Sequence, residues 1–288
     1  MLPRLLCVDT ELPYCMLRIA LGLEYDGSAF AGWQWQQHAQ GVQAAVQSAL
    51  SLVADESIAV VAAGRTDAGV HATMQVVHFD TVAIRDERAW CLGTNTNMPD
   101  TISVLWAREV SVDFHARFGA LSRSYRYVIL NTRTRPALLR DRVCWVREPL
   151  DAALMDQAAQ SLVGRHDFSS FRAAECQSPT PVRHMQRIQV TRINEYVIID
   201  VTANAFLHHM VRNIAGVLIA VGRGKQGIAW PAQVLEARDR AQGGVTAVAA
   251  GLYLFGVEYP VEFGLPTAPV CSLWPPGPTL SPIATLAV

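Results

Sequence analysis

The segment AGRTDAGVHA, residues 63–72, joins two apolar runs that have the composition of β-strands. Two glycines, Gly64 and Gly69, bracket an arginine, a threonine and an aspartate. Glycine adopts backbone angles closed to other residues, so a bracketed pair indicates a tight, irregular loop. The sequence therefore predicts a loop at the mouth of a sheet that brings a carboxylate and a guanidinium into one small space. The two apolar runs are residues 58–62 and 75–79.

Two interpretations of Asp67 stay open on the residues alone. In the first, Asp67 accepts backbone N–H bonds within a turn, and Arg65 is a solvated surface charge. In the second, a neighbouring cation keeps Asp67 ionised, which makes it an anionic nucleophile at neutral pH.

Composition describes an ordinary globular chain. Its 288 residues are 51% hydrophobic and 17% charged, and no apolar run reaches the length of about 20 residues that a membrane span needs. The apolar N-terminus contains Asp9 and Glu11, so it does not have the pattern of a signal peptide. Because the six cysteines are scattered without a Cys-x-x-Cys pair, we expect neither disulfides nor a zinc knuckle, and we expect a cytoplasmic protein.

The net charge is −1, so a basic surface that binds RNA phosphates can form only where arginines are concentrated. The densest basic interval runs from residue 117 to residue 142 and has tyrosines between its arginines, which predicts contact with RNA; a solvated edge strand is the alternative. Its arginines are Arg117, Arg123, Arg126, Arg133, Arg135, Arg140 and Arg142. An aromatic and amide-rich loop, residues 30–37, is either a packed cap on the core or a stacking surface for nucleotides.

Hydrophobic periodicity predicts helices and strands in an α+β arrangement with an antiparallel sheet. The predicted helices are residues 42–53, 81–97, 151–162, 206–221 and 230–241. The predicted strands are residues 17–25, 102–106, 122–130, 185–193, 197–202 and 251–257, besides the two runs beside the central loop. We expect a leader over residues 1–16, one α+β half over 17–112, a second over 113–263, and a Pro-rich tail over 264–288.

The predicted helix of residues 206–221 carries an arginine in its first turns. An unpaired buried charge is costly, so Arg212 needs a partner, and Asp67 and a structural ion pair elsewhere are the alternatives. His208 and His209 precede it, but neighbouring histidines point apart on a helix and no carboxylate stands at ligand spacing. We therefore expect no metal site.

Several motifs, in order, resemble the tRNA pseudouridine synthase A (TruA) family. The likeness covers about residues 17–260 and is carried by the central Gly-Arg-Thr-Asp-Ala-Gly-Val-His string and by residues 24–27, 32–34, 114–118, 125–127, 171–178, 204–213 and 250–254. The family resemblance implies two similar halves that share one continuous, mainly antiparallel sheet flanked by helices, with a cleft between them. It also implies a homodimer that isomerises uridine to pseudouridine at positions 38–40 of the tRNA anticodon stem-loop, without cofactor or metal.

The resemblance also assigns roles to residues. Asp67 matches the catalytic nucleophile, which could attack C1′ of the ribose or C6 of the base, or remove the 2′ proton. Tyr125 matches a tyrosine that stacks on the target base and serves in proton transfer, and Arg65 the residue that enters the RNA when the base flips. Arg212 is the expected ion-pair partner of Asp67, and Leu252 resembles an apolar residue of the base pocket.

Two further segments match family stretches that contact tRNA. They are Phe114, His115, Ala116, Arg117 and Phe118, and Glu175, Cys176, Gln177, Ser178 and Pro179. Pro179 stands where the family carries a basic residue.

Two rival functions share some of these features. A non-catalytic tRNA-binding or RNA-folding module would use the basic and aromatic residues but would not need the Gly-Arg-Thr-Asp motif. A glycosidase-like hydrolase would need two carboxylates flanking the bond, and only Asp67 stands in a convincing context.

Overall fold

A computed structural model describes residues 16–34 and 39–266. The predicted leader up to residue 15, the amide-rich residues 35–37 and the predicted tail from residue 267 lie outside the described residues. The strands are β1 (Leu17–Tyr25), β2 (Val61–Ala62), β3 (His71–Thr81), β4 (Ile102–Val110), β5 (Ser122–Asn131), β6 (Cys144–Val146), β7 (Gly164–Asp167), β8 (Val182–Ile193), β9 (Tyr196–Ala203) and β10 (Leu252–Glu258). The helices are α1 (Val42–Ala54), α2 (Glu87–Thr96), α3 (Ala152–Ala159), α4 (Met210–Gly222) and α5 (Trp230–Ala237).

The described strands form one continuous sheet in the order β4-β1-β3-β10-β5-β9-β8-β7, with β2 also on β3 and β6 also on β5. The pairs β3–β10 and β5–β6 are parallel, and the others are antiparallel. The predicted α+β class with a mainly antiparallel sheet is therefore confirmed. The strand order is compatible with our proposed boundary after residue 112, because β1–β4 form one end of the sheet.

The main core lies between one face of the sheet and the helices. On α1 the buried positions Val42, Val46, Ala49 and Leu50 belong to the apolar stripe that the sequence predicts, and Ala54 is buried as well. Neighbouring residues of a strand face opposite sides, so Leu21 belongs to this core while Ala20 belongs to a smaller cluster on the other face.

Several helix boundaries differ from the prediction: α3 and α5 end earlier, at Ala159 and Ala237, and α2 and α4 begin later. β3 continues to Thr81, and α2 begins only after Asp86, whose side chain accepts a hydrogen bond from the backbone N–H of Ala89 at 2.6 Å. An aspartate in this position caps the helix N-terminus, so the polar run before it is a loop. α4 begins at Met210 rather than at residue 206, because His209 adopts a left-handed conformation with φ of 60°.

The two ends of the sheet are tied together where β3 meets β10. Tyr253 and Leu254 of β10 pair with His71 and Ala72 of β3, and the His71 ring stacks on Tyr253 with 4.7 Å between ring centroids. Arg142 forms a 2.6 Å ion pair with Asp26. His71 and Ala72, at the end of the 63–72 segment, are thus held against β10.

Candidate active site

The loop of residues 63–70 connects β2 to β3, and its incoming arm is fixed by hydrogen bonds to neighbouring strands. The N–H of Ala63 donates to the carbonyl of Val76 at 2.8 Å, and the buried Gln75 amide donates to the carbonyl of Gly64 at 2.7 Å. The Arg123 guanidinium donates to the carbonyl of Ala63 at 3.0 Å. The carbonyls of Ala63 and Gly64 both accept hydrogen bonds, so the backbone of this arm is held in one conformation.

The middle of the loop is held by the segment that follows β1. The hydroxyl groups of Thr66 and Tyr25 lie 2.8 Å apart, and the Trp33 N–H donates to the carbonyl of Thr66 at 2.9 Å. Gly32 makes this close approach possible, because it has a φ of +102° and a Cβ there would lie 2.7 Å from the Thr66 carbonyl oxygen. Thr66 is therefore locked on both sides, which fixes the direction of the next side chain, Asp67.

Asp67 is surrounded by cationic or imidazole groups from the start of α4. Its Oδ2 lies 3.2 Å from a terminal nitrogen of Arg212 and 3.4 Å from Nε2 of His209, and its Oδ1 lies 3.3 Å from Nε2 of His208. The Asp67 side chain keeps 20% of its surface exposed. The carboxylate is thus electrostatically supported but still reachable from solvent.

The predicted contact between Asp67 and Arg212 is observed, whereas the cation expected from Arg65 is not at this carboxylate. Arg65 is exposed, and within residues 16–34 and 39–266 it makes no ion pair. The guanidinium that supports Asp67 therefore comes from 145 residues further along the chain, not from the loop itself.

The histidine pair does not have the geometry that the sequence predicts. His208 and His209 precede α4 instead of lying in it, and their rings are 4.0 Å apart between centroids. Both rings face one carboxylate, that of Asp67, and the three ligand atoms lie within 4.8 Å of one another. The trio has the residue types and spacing of a metal site, which the sequence could show only as two adjacent histidines.

Arg212 is positioned by the chain segment before β10. Its Nε donates to the carbonyl of Ala247 at 2.9 Å, and the N–H of Ala247 donates back to the carbonyl of Arg212 at 3.1 Å. Gly216 admits this segment, because a Cβ on it would lie 1.9 Å from the carbonyl oxygen of Val245. The guanidinium therefore reaches Asp67 from a fixed direction.

Tyr125 lies beside the same loop on β5. Its hydroxyl is 3.5 Å from the place that a Cβ on Gly64 would take, and its ring packs edge-on against Phe206. Burial raises the pKa of Tyr125, so its phenol stays protonated at neutral pH. Leu252 and Leu254 pair with Tyr127 and Tyr125 across β5, so the leucine expected in the base pocket shares a sheet face with Tyr125.

The two segments expected to contact tRNA differ in what they expose. In the first, Phe114 and Ala116 are fully buried, so their side chains do not face RNA, whereas Arg117 and Phe118 are exposed and His115 is half-buried. In the second, the exposed residues are Glu175, Gln177 and Pro179, and the half-buried ones are Cys176 and Ser178. The second segment lies beside the site, because Ala173 donates to the carbonyl of His208 at 3.0 Å.

The basic interval is not a uniform RNA footprint. Arg123 is 8% exposed and donates to the carbonyls of Ala63 and Asn204, and burial lowers its pKa. Arg126 is 4% exposed and forms a bidentate pair with Asp200 at 2.7 and 2.9 Å. The prediction that these two arginines contact RNA is therefore wrong in this conformation. The exposed arginines of the interval are Arg117, Arg133, Arg135 and Arg140.

Sequence reasoning missed the residues that hold the loop. Trp33 and Gln75 bond its backbone and Tyr25 bonds the Thr66 hydroxyl, and each is less than 5% exposed. A glutamine inside the apolar run of β3 is a usable signal, because a buried amide needs a hydrogen-bond partner. Trp33 belongs to the aromatic loop, and its burial favours the packing interpretation for the described part of that loop.

Comparisons with known proteins show which family this chain resembles. A family model described as tRNA pseudouridine synthase matches residues 23–119 and 158–260. A tRNA pseudouridine synthase A of Nitrosococcus oceani is 56% identical over 87% of this chain and 96% of its own length. One of Methylococcus capsulatus is 57% identical, covering 86% and 92%, and one of Coxiella burnetii is 55% identical, covering 88% and 98%. A solved Cbf5-Nop10-Gar1 complex aligns over 69% of this chain and 54% of that chain with a TM-score of 0.29 and 10% identity.

Proposed function

The chain belongs to the tRNA pseudouridine synthase family, and we propose that it isomerises uridine at positions 38–40 of the anticodon stem-loop with Asp67 as its nucleophile. It is an isomerase that acts on uridine in tRNA, and the site assignment is what the geometry adds. The observation that carries this assignment is the Asp67 carboxylate, which is 20% exposed on a loop fixed by hydrogen bonds and pairs with Arg212.

The reaction breaks the bond between N1 of the base and C1′ of the ribose, turns the base, and joins C5 to C1′. The proton on C5 is lost and N1 is protonated, so substrate and product are isomers. An ionised carboxylate could attack C1′, attack C6, or remove the 2′ proton, and all three routes need it to reach the nucleoside. The Arg212 guanidinium lies 3.2 Å from the Asp67 carboxylate, and the Ala247 carbonyl keeps that guanidinium in place.

Tyr125 is proposed to stack on the target base and to take part in proton transfer. Its ring is held by Phe206 and its hydroxyl borders Gly64, so it lies next to the backbone that carries Asp67. Because its pKa is raised by burial, it would act as a proton donor. Leu252, at the start of β10, would supply an apolar wall for the base.

Arg65 is proposed to enter the RNA when the target base flips out. Arg65 is the exposed charged residue of the 63–70 loop, whereas the next residue, Thr66, is buried. Flipping costs a few kcal/mol of lost stacking and pairing, and an inserted guanidinium offsets part of that cost. An arginine without a partner among the described residues is free to make this contact.

The tRNA surface is proposed to include the exposed members of the two segments, together with the exposed arginines of the basic interval. We also propose a homodimer, so that one tRNA contacts both subunits, and a cytoplasmic location. The part of the chain that the structure describes contains no helix long and apolar enough to cross a membrane. The reaction is proposed to need no cofactor or metal.

The test of this function is to incubate the protein with unmodified tRNA transcripts and map pseudouridine by chemical labelling. Matched transcripts carry uridine at 38, at 39, at 40, or cytidine at all three positions. We expect labelling at each uridine and none in the cytidine transcript. Pseudouridine elsewhere in the tRNA would contradict the position, and tRNA binding without any pseudouridine would favour a non-catalytic RNA-binding protein.

A further inference from the structure

We propose that His208, His209 and Asp67 bind a zinc ion, which inhibits the enzyme by occupying its carboxylate. The three side chains come from two distant parts of the chain, the 63–70 loop and the turn before α4. Their nearest ligand atoms all lie within 4.8 Å of one another.

The distances suit a shared metal ion better than hydrogen bonds. The Nε2 atoms of His208 and His209 lie 3.3 and 3.4 Å from the two oxygens of Asp67. Good N–H···O hydrogen bonds are about 2.7–3.2 Å long, so both contacts are too long. Ligand atoms at about 2.0–2.1 Å from a tetrahedral zinc ion are about 3.3 Å from each other, which is close to each of these two nitrogen–oxygen distances.

The histidine rings are held in this converging arrangement by their backbone. His209 has a left-handed φ of 60°, and the two rings lie 4.0 Å apart between centroids with 37° between their planes. The His208 N–H donates to Sγ of Cys176 at 3.4 Å, and its carbonyl accepts from Ala173. Zinc binding would therefore need little reorganisation of the chain.

The ligand set and its exposure fit zinc with one open position. Two imidazoles and one carboxylate form a known three-residue zinc set that leaves a fourth position for water. His208, His209 and Asp67 expose 35%, 29% and 20% of their side chains, so an ion can enter from solvent. Arg212 opposes binding by its charge; it contacts Oδ2 of Asp67, the oxygen beside His209, whereas Oδ1 beside His208 has no arginine contact among the described residues.

Inhibition rests on the proposed role of Asp67, whereas zinc binding itself does not. Binding is therefore measured without RNA, by calorimetry with Zn²⁺ and by the visible spectrum of Co²⁺ as a zinc substitute, on the full chain. The variants are His208→Gln and His209→Gln. His184→Gln, an exposed histidine on β8, is the matched control, and Cys176→Ser tests whether the nearby thiol is the ligand instead.

We expect one zinc ion per chain and a tetrahedral Co²⁺ spectrum. Loss of a residue that only supports a metal ligand lowers metal affinity by roughly 10–100-fold. Each histidine variant, which loses a ligand itself, should lose at least that much affinity for zinc. The His184→Gln and Cys176→Ser proteins should bind as the wild type does. Equal affinity in wild type and the two histidine variants, or an octahedral Co²⁺ spectrum, would overturn the site.

A second experiment measures the rate of pseudouridine formation in the presence of a chelator and at saturating zinc. For the wild type and for each histidine variant, the rate with zinc is divided by the rate of the same protein with chelator. We expect zinc to stop the wild-type reaction reversibly and to affect the histidine variants much less. If zinc binds as predicted but the rate of pseudouridine formation is unchanged, the proposed inhibition is overturned and the proposed zinc site is supported. If the chelator itself abolishes turnover, zinc is required and the inhibitory interpretation is overturned.

Discussion

The loops of residues 63–70 and 172–181 both contact His208, yet they are built in opposite ways. The first has its backbone carbonyls bonded to Gln75, Arg123 and Trp33, and its reactive side chain leaves a rigid frame. The second exposes half of its residues. Its later part is held by Arg183, whose guanidinium donates to the Ser178 hydroxyl at 2.6 Å and to the Thr180 carbonyl at 2.9 Å.

The first loop fixes the position of one reactive side chain, whereas the second exposes side chains that can contact RNA. A carboxylate that must meet one atom of a nucleoside needs a fixed direction, because small misplacements are costly in catalysis. A surface that follows an RNA backbone can tolerate side-chain movement. Changes around the first loop should therefore reduce turnover, and changes in the second should reduce affinity.

Replacing Arg212 by methionine should produce the largest loss that leaves Asp67 in place. The guanidinium is the closest charge to the carboxylate, at 3.2 Å, so we expect turnover to fall by about 10²–10³-fold. Single-turnover rates with saturating enzyme measure this effect separately from binding. The matched control is Arg223→Met at the end of the same helix, which pairs with Glu148 and should keep its rate. Equal losses in both variants would reduce Arg212 to a structural role.

Replacing Arg123 by methionine should destabilise the protein by about 2–3 kcal/mol, because the buried carbonyl of Ala63 and the part-buried carbonyl of Asn204 lose their donor. Urea unfolding measures this change. The control is Arg133→Met, an exposed arginine of the same basic interval, which should leave stability unchanged. Weaker tRNA binding at unchanged stability would instead return Arg123 to the RNA footprint.

Replacing Tyr125 by phenylalanine should slow turnover by about tenfold, since the ring still stacks but one hydroxyl is lost. The control is Tyr127→Phe two residues along β5, whose hydroxyl donates to the Val248 carbonyl at 2.8 Å. That variant should lose stability and keep its single-turnover rate. An unchanged rate for Tyr125→Phe would limit the hydroxyl to packing.

Replacing Phe118 by alanine should have the smallest effect, a loss of tRNA affinity by about fivefold at unchanged turnover. Phe118 is 76% exposed and stands beside Arg117, so it suits stacking on a base or ribose. Ile84→Ala, another exposed apolar change, is the control and should bind as the wild type does.

The affinity for tRNA should also fall steeply as the salt concentration rises, because the exposed arginines contact phosphates. An affinity that does not change with salt would remove these arginines from the interface.

The sequence was most informative where a local pattern is decided locally. β1 has the predicted bounds, α1 has its predicted stripe, and the β8–β9 hairpin turns at the predicted residues 194–195, because alternation, helical spacing and turn residues act over short distances. Residues 81–86 were misread as helix because a capping aspartate, Asp86, resembles any other polar residue until its partner is seen.

The site was predictable only in part, for the same reason. The Gly-Arg-Thr-Asp motif and an arginine in an apolar helix each indicated a partner, and Asp67 and Arg212 do meet. The convergence of His208 and His209 depends on one left-handed residue, and the burial of Arg123 depends on carbonyls from distant segments. Neither feature has a signal at a fixed spacing in the sequence.

The most direct measurement compares tRNA affinity and single-turnover pseudouridine formation for Asp67→Asn and for the wild type. The amide keeps the size of the side chain but cannot act as an anionic nucleophile. Our account predicts an affinity within about twofold of the wild type and a rate reduced by at least about 10³-fold. Substantial residual turnover would contradict the role of Asp67, as would a rate loss explained entirely by lost tRNA binding.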